Sequence, residues 1–237
     1  MSDPPQGERA PQDQEHVRSS YDAVADAYVE RVHDELPNKP LDRALLAVFA
    51  EQLQAESGAH ALACDMGCGP GHVGAYLAER GLTVTGIDIS AAMVDRARAL
   101  HPEMTFEVGT MTALDVPGGR FKGIVAFYSI IHLTTDAEVR TALGEFFRTL
   151  DANGLLLLAV HLGEHGDATV HADDMLGVSV DMDFRFFDVA RLEDEINASG
   201  FVVEARLVRA PYRDVEVQTT RGYLLARRSA EASVDKT

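Results

Sequence analysis

The hydrophobic positions along this chain change period several times, and each change marks an element. From about Glu15 to His33, Tyr21, Val24, Ala25, Tyr28 and Val32 recur at three- and four-residue steps, one face of an amphipathic helix. Leu36 to Pro40 breaks that period. A second helix runs from Leu41 to about Ala55, with Leu45, Leu46, Val48, Phe49 and Leu53 largely on one side and Ser57-Gly58 ending it. Short apolar runs then alternate with helical patterns: HALACDM, HVGAYLAER, LTVTGIDI, SAAMVDRARAL, MTFEV, FKGIVAFYSI, DAEVRTALGEFFRTL and GLLLLAVHL. Strand-helix alternation predicts a doubly wound α/β fold, a parallel sheet covered on both faces.

Local punctuation agrees with these boundaries. Gly81 closes one helix, Ser90 is placed to cap the next, Thr135 with Glu138 fits a capping box, and Asn153-Gly154 turns the chain into the fifth strand. Near the C-terminus DVARLEDEINASG reads as a helix stopped by Gly200. The runs FVVEARLVRA and VQTTRGYLLARR follow with no helix between them, which predicts an antiparallel hairpin at one sheet edge. His161 to Asp183 has no clear period and reads as a long loop of the kind that walls a pocket. The expected organisation is one domain over 15–228, with a helical lid at 15–57 and an α/β core at 58–228. Residues 1–14 and 229–237 read as disordered tails.

Composition narrows the function. The chain has 237 residues, 46% of them hydrophobic, and a formal net charge of −17, which disfavours nucleic acid and anionic membrane surfaces as partners. The longest apolar run outside helical patterning, Leu155 to Val160, is far short of the roughly 20 residues of a membrane-spanning helix. The N-terminal stretch has no apolar signal core, so the expected location is the cytoplasm. Cys64 and Cys68 are too few for a disulfide framework and lack a second ligand pair for zinc; they read as small packing residues.

The strand HALACDM runs into Gly67-Cys68-Gly69-Pro70-Gly71-His72 just before a helix. Glycines there permit a sharp turn and close approach of a ligand to the backbone. Gly69, Gly71 and Gly74 also fit the dinucleotide spacing G-x-G-x-x-G. Asp65, two residues before the first glycine, separates the two readings. A carboxylate there repels a diphosphate and suits a phosphate-free ligand with ammonium and sulfonium charge, which is S-adenosylmethionine. Asp88 ends the second strand about 20 residues on, placed to accept from ribose hydroxyls in either cofactor class.

Taken together, CDMGCGPG, GIDIS with Met93 soon after, VGTM after the third strand and AFYSIIHL ending the fourth resemble a class I S-adenosylmethionine-dependent methyltransferase. The resemblance covers roughly Tyr21 to Arg227 and is to small-molecule enzymes of the methyltransferase-domain type found in actinobacteria. It implies a Rossmann-like, mostly parallel seven-stranded sheet with S-adenosylmethionine as cofactor. It implies that Asp65, Gly67, Cys68 and Gly69 surround the methionine moiety, Asp88 holds the ribose, and Ile89 and Met93 pack on the adenine. Thr110 and Met111 then lie at the adenine edge, the Phe127 carbonyl faces the cofactor ammonium, and Tyr21 and Tyr28 close over the methionine end. Tyr21 and Tyr28 also fit the buried face of a packing helix. Phe121-Lys122 departs from relatives that carry Asp after the aromatic, so no carboxylate role is carried over there.

Transfer from a sulfonium mainly requires alignment in a dry cavity, and a base only where the acceptor arrives protonated. His132, just beyond the fourth strand where ligands bind in doubly wound sheets, is the candidate base. A histidine that only shapes the pocket by bonding a backbone group fits the same position. Tyr128, Ser129 and His161 are candidate acceptor contacts. His161, Glu164, His165, Asp167, His171, Asp173 and Asp174 crowd one segment, but their spacing fits no metal motif and no metal is expected. The expected activity is methyl transfer to an oxygen or nitrogen of a small metabolite, such as a natural-product intermediate. The alternatives are a nicotinamide-dependent oxidoreductase and a non-catalytic cofactor-binding protein.

Overall fold

The computed structural model describes residues 12–230. Seven strands form one sheet in the order β3-β2-β1-β4-β5-β9-β8. These are β1 (Leu62–Met66), β2 (Thr83–Asp88), β3 (Thr105–Val108), β4 (Phe121–Phe127), β5 (Leu150–His161), β8 (Phe201–Arg209) and β9 (Arg221–Arg228). The first five pair in parallel, and β9 inserts antiparallel between β5 and β8. The C-terminal hairpin expected at the sheet edge is present.

Alternation along the buried strands divides the core in two. On β5, Leu155 and Leu157 face the layer that holds α2 (Pro40–Ser57) and α3 (His72–Ala78). Leu156 and Leu158 face the layer of α5 (Asp136–Thr149) and α6 (Val189–Ala198). A strand buried on both faces reads as a continuous apolar run, which is why GLLLLAV shows no alternation. The caps match their sequence signals. Ser90 accepts from Met93 N ahead of α4 (Ala91–Leu100), and the Thr135/Glu138 capping box is closed in both directions.

Three expectations are corrected. His161 to Asp183 is not a loop: β6 (Ala168–Met175) and β7 (Val178–Phe186) form a separate antiparallel hairpin around Leu176-Gly177, both in the left-handed region. Alternation along β7 buries Val180 and Met182, packed with Phe184 against α1 (Gln14–Val32), and leaves Ser179 and Asp181 exposed, while β6 is mostly polar and exposed. The helical lid is narrower than 15–57, because α2 sits in the core with Leu46, Phe49 and Leu53 fully buried. Residues 12–14 are not a tail: Gln12 N donates to Thr134 Oγ1, Asp13 caps α1 and Gln14 begins it. The rest of the N-terminal tail, 1–11, and 231–237 of the C-terminal tail lie outside the described residues. Among the described residues no helix is long and apolar enough to cross a membrane.

Candidate active site

The carboxyl ends of β1, β2 and β4 open onto one cavity roofed by α1. Its floor is the turn after β1. Gly67 has φ +69°, and a Cβ there would stand 2.3 Å from Ser129 Cβ, so only glycine lets this turn pass under the end of β4. The amides of the turn are internally spent. Gly67 N and Cys68 N donate to Ile87 O, Gly69 N to Asp88 Oδ2, Gly71 N to Cys68 O and Gly74 N to Asp65 Oδ2; Pro70 has none to offer.

A diphosphate therefore finds no free amides on Gly67, Cys68, Gly69 or Gly71. Nor does it find a cation, because Glu35, Asp65 and Asp88 line the cavity while no Lys or Arg does so among the described residues. The chemistry of this wall fits a phosphate-free nucleoside with net positive charge better than a nicotinamide dinucleotide. Every cofactor contact named from the sequence lines the cavity: Tyr21, Tyr28, Asp65, Gly67, Cys68, Gly69, Asp88, Ile89, Met93, Thr110, Met111 and Phe127.

Asp65 is less simple than an exposed anion at the glycine turn. Its carboxylate is buried and caps the first turn of α3 through Gly74, and burial pushes its pKa up to about 7. Asp88 is also raised by burial, opposed by its bonds from Ser90 N and Gly69 N.

His132 has both ring nitrogens engaged. Nδ1 is 3.2 Å from Asp183 O, which can only accept, so Nδ1 carries the proton. Burial lowers the imidazole pKa to about 4, leaving Nε2 as a lone pair, and Tyr21 donates its hydroxyl to it at 2.7 Å. The orienting partner absent from the sequence pattern is thus a backbone carbonyl of β7. Tyr21 packs edge-on against Tyr28, with ring centroids 5.8 Å apart. Tyr21 and Tyr28 line the cavity and also join the apolar cluster of α1.

Tyr128 and Ser129 line the opposite wall; Ser129 Oγ donates to Met66 O. Tyr128 sits in the left-handed region (φ 54°), held through its hydroxyl by Asp42 and Tyr223. His161 is a correction, since it does not border the cavity. It lies behind Tyr128, bonded to Thr219 and Arg221, and burial together with Arg221 lowers its pKa to about 3.

Behind the same wall is an ionic cluster that the linear pattern did not indicate. Lys39 joins Glu35 and Glu216, Arg209 joins Asp42 and Glu216, and Arg221 reaches Glu216. Burial raises the Glu35 carboxyl, but His72 and Lys39 outweigh it and hold the pKa at about 2. Glu35, His72 and Gln14 are cavity residues that sequence reasoning missed. Only His72, next to the glycine turn, had a usable signal. The acidic segment 161–174 does not converge: Asp167 binds Arg185 and Arg191, while His171 pairs with Asp183 along the hairpin. Among the described residues no group of three or more His, Cys, Asp or Glu is placed to hold a metal ion.

Comparison with known proteins agrees with this geometry. Residues 63–154 match the methyltransferase-domain family model. An uncharacterized methyltransferase of Synechocystis sp. (strain ATCC 27184 / PCC 6803 / Kazusa) is 32% identical over 95 residues, 40% of this chain and 44% of that protein. The matches to the leading curated relatives span about two fifths of those proteins' length. Among solved structures, magnesium protoporphyrin IX methyltransferase from Synechocystis PCC 6803, with bound S-adenosylmethionine, superposes with a TM-score of 0.68 at 19% identity, covering 94% of this chain and 100% of that one. Burkholderia thailandensis 1,6-didemethyltoxoflavin-N1-methyltransferase, with its substrate and S-adenosylhomocysteine, gives 0.62 at 21% identity, covering 93% of each chain. At such identities the likeness is one of fold.

Proposed function

We propose, from the match of residues 63–154 to the methyltransferase-domain family model and from the cavity described above, that this chain is a class I S-adenosylmethionine-dependent methyltransferase that transfers a methyl group to an oxygen or nitrogen of a small molecule, such as a natural-product intermediate. The observation that carries this reading is a glycine turn with its amides spent inside a cavity whose charged lining is carboxylate. The cofactor supplies a methyl carbon activated by a sulfonium. In this reading Asp88 accepts from the ribose hydroxyls, and Ile89, Met93, Thr110 and Met111 enclose the adenine. Asp65, Gly67, Cys68, Gly69 and the Phe127 carbonyl surround the methionine end, and Tyr21 and Tyr28 cover it.

His132 serves as the proton acceptor. Its Nε2 lone pair is reached through the Tyr21 hydroxyl, which gives its proton to Nε2 as it takes one from the acceptor. The Asp183 carbonyl fixes the tautomer this requires. Tyr128 and Ser129 form the facing wall and exclude water.

Calorimetric titration tests the reading. S-adenosylhomocysteine is expected to bind while NAD and NADP give no heat, and an extract incubated with the protein and S-adenosylmethionine is expected to yield a product heavier by one methyl group. Nicotinamide binding without S-adenosylhomocysteine binding would overturn it.

A further inference from the structure

The charge of the cavity wall and the state of the cations behind it restrict the acceptor. Lys39 and Arg221 lie 5.7 and 5.0 Å from the centroid of the Tyr128 ring, which lines the cavity. Neither has charge to spare. Lys39 is paired with Glu35 at 2.8 Å and with Glu216 at 3.7 Å, and Arg221 with Glu216 at 3.4 Å and the Val217 carbonyl at 2.8 Å. Arg209, further back, is divided between Asp42 and Glu216. Three cations against Glu35, Asp42 and Glu216 close the cluster on itself. On the roof side, His132 faces the cavity as a neutral ring.

An acceptor with a carboxylate or phosphate at its reacting end would be stripped of water in a cavity that no Lys or Arg lines among the described residues and whose nearby cations are already paired. The donor itself carries one carboxylate, but its ammonium and sulfonium leave it net positive. A second anion has no counterpart. The lining is instead aromatic, with Tyr21 and Tyr28 on α1 and Phe127 and Tyr128 at the end of β4.

We propose, resting on the methyl-transfer reading, that the acceptor is an uncharged aromatic molecule methylated on an amine, ring nitrogen or hydroxyl, and that carboxylate and phosphate acceptors are excluded. The acceptor's lone pair forms the bond to the methyl carbon as the carbon–sulfur bond breaks. That bonding pair stays on sulfur and leaves a neutral thioether. The proton displaced from the acceptor nitrogen or oxygen passes to the Tyr21 oxygen while Tyr21's own proton moves to His132 Nε2. His132 is a weak base, roughly six powers of ten short of an alkyl ammonium. An alkylamine that arrives protonated is therefore not activated here, whereas an aromatic amine or hydroxyl attacks before, or as, it loses its proton.

The test uses two bisubstrate probes in which nitrogen replaces the sulfonium and carries a benzyl arm or a 4-carboxybenzyl arm where the methyl would be. Their binding to the full chain is measured by calorimetry beside S-adenosylhomocysteine. The benzyl probe is expected to bind at least tenfold tighter than the carboxybenzyl probe. In Glu35→Gln, which removes the nearer of Lys39's two carboxylate partners and one negative charge from the lining, that gap is expected to narrow at least threefold. Equal or tighter binding of the carboxybenzyl probe to the wild type overturns the proposal. So does binding of S-adenosylhomocysteine with neither probe, since the wall then has no room for an aromatic arm. Absence of S-adenosylhomocysteine binding overturns the methyl-transfer reading itself.

Discussion

His132 and Tyr21 are 111 residues apart in sequence and 2.7 Å apart in space, and their hydrogen bond defines what the imidazole can do. A neutral ring with Nδ1 bonded to a carbonyl has one basic atom, and Tyr21 occupies it. Removing the ring should therefore affect turnover more than donor affinity. His132→Ala is expected to lower kcat by about a hundredfold or more while the Kd for S-adenosylhomocysteine moves less than about fivefold; Tyr21→Phe should show the same split, less strongly. Single-turnover kinetics beside calorimetry checks this, and loss of affinity equal to the loss of rate would make both residues binding groups only. At this scale much was readable. The position of His132 after the fourth strand and that of Asp88 at the end of the second follow from element boundaries alone. The partners were not readable, because a backbone carbonyl of β7 and a hydroxyl on α1 are brought together by tertiary packing and leave no mark on local spacing.

Among the elements, the parallel core was legible because β4 and β5 are dense apolar runs and the helices between the strands carry caps of recognisable chemistry. Thr135 with Glu138 and Ser90 before α4 are examples. The β6–β7 hairpin was only half legible: β7 carries a period-two alternation, VSVDMDFRF, that is a strand signal in its own right, but its partner β6 is mostly polar and carries none. The ionic cluster escaped for another reason: Asp42 and Arg209 lie on elements 167 residues apart. Asp42 fastens α2 to the sheet by accepting from Tyr128 after β4, Tyr223 on β9 and Arg209 on β8. Removing one member of a buried pair strands the others, so Asp42→Ala is expected to lose about 3–5 kcal/mol of stability. A denaturant midpoint shift with unchanged slope measures it. A loss below about 1 kcal/mol would show that the cluster relaxes around the gap.

For the whole molecule, the buried histidine couples the site to acid stability. His132 resists protonation to about pH 4 when folded, whereas a histidine in the unfolded chain takes a proton near 6.5. Below 6.5 the unfolded state therefore binds a proton that the folded state refuses, and this residue's contribution to stability falls as pH drops toward 4. The difference in melting temperature between the wild type and His132→Gln is expected to shift against the wild type between pH 6.5 and 4, and a pH-independent difference would mean that the ring is solvated.

The way α1 is fastened has a mechanical corollary. Ser20 on α1 and Asp181 on β7 bond reciprocally, and Asp181 lies two residues from the carbonyl that orients His132, while α1 carries the hydroxyl at the other nitrogen. Any motion that swings α1 and β7 outward as a unit strips both hydrogen bonds from the imidazole in one stroke. The orientation of His132 therefore depends on two elements that are tied to each other, and anything that parted them from the core would cost the ring both partners together.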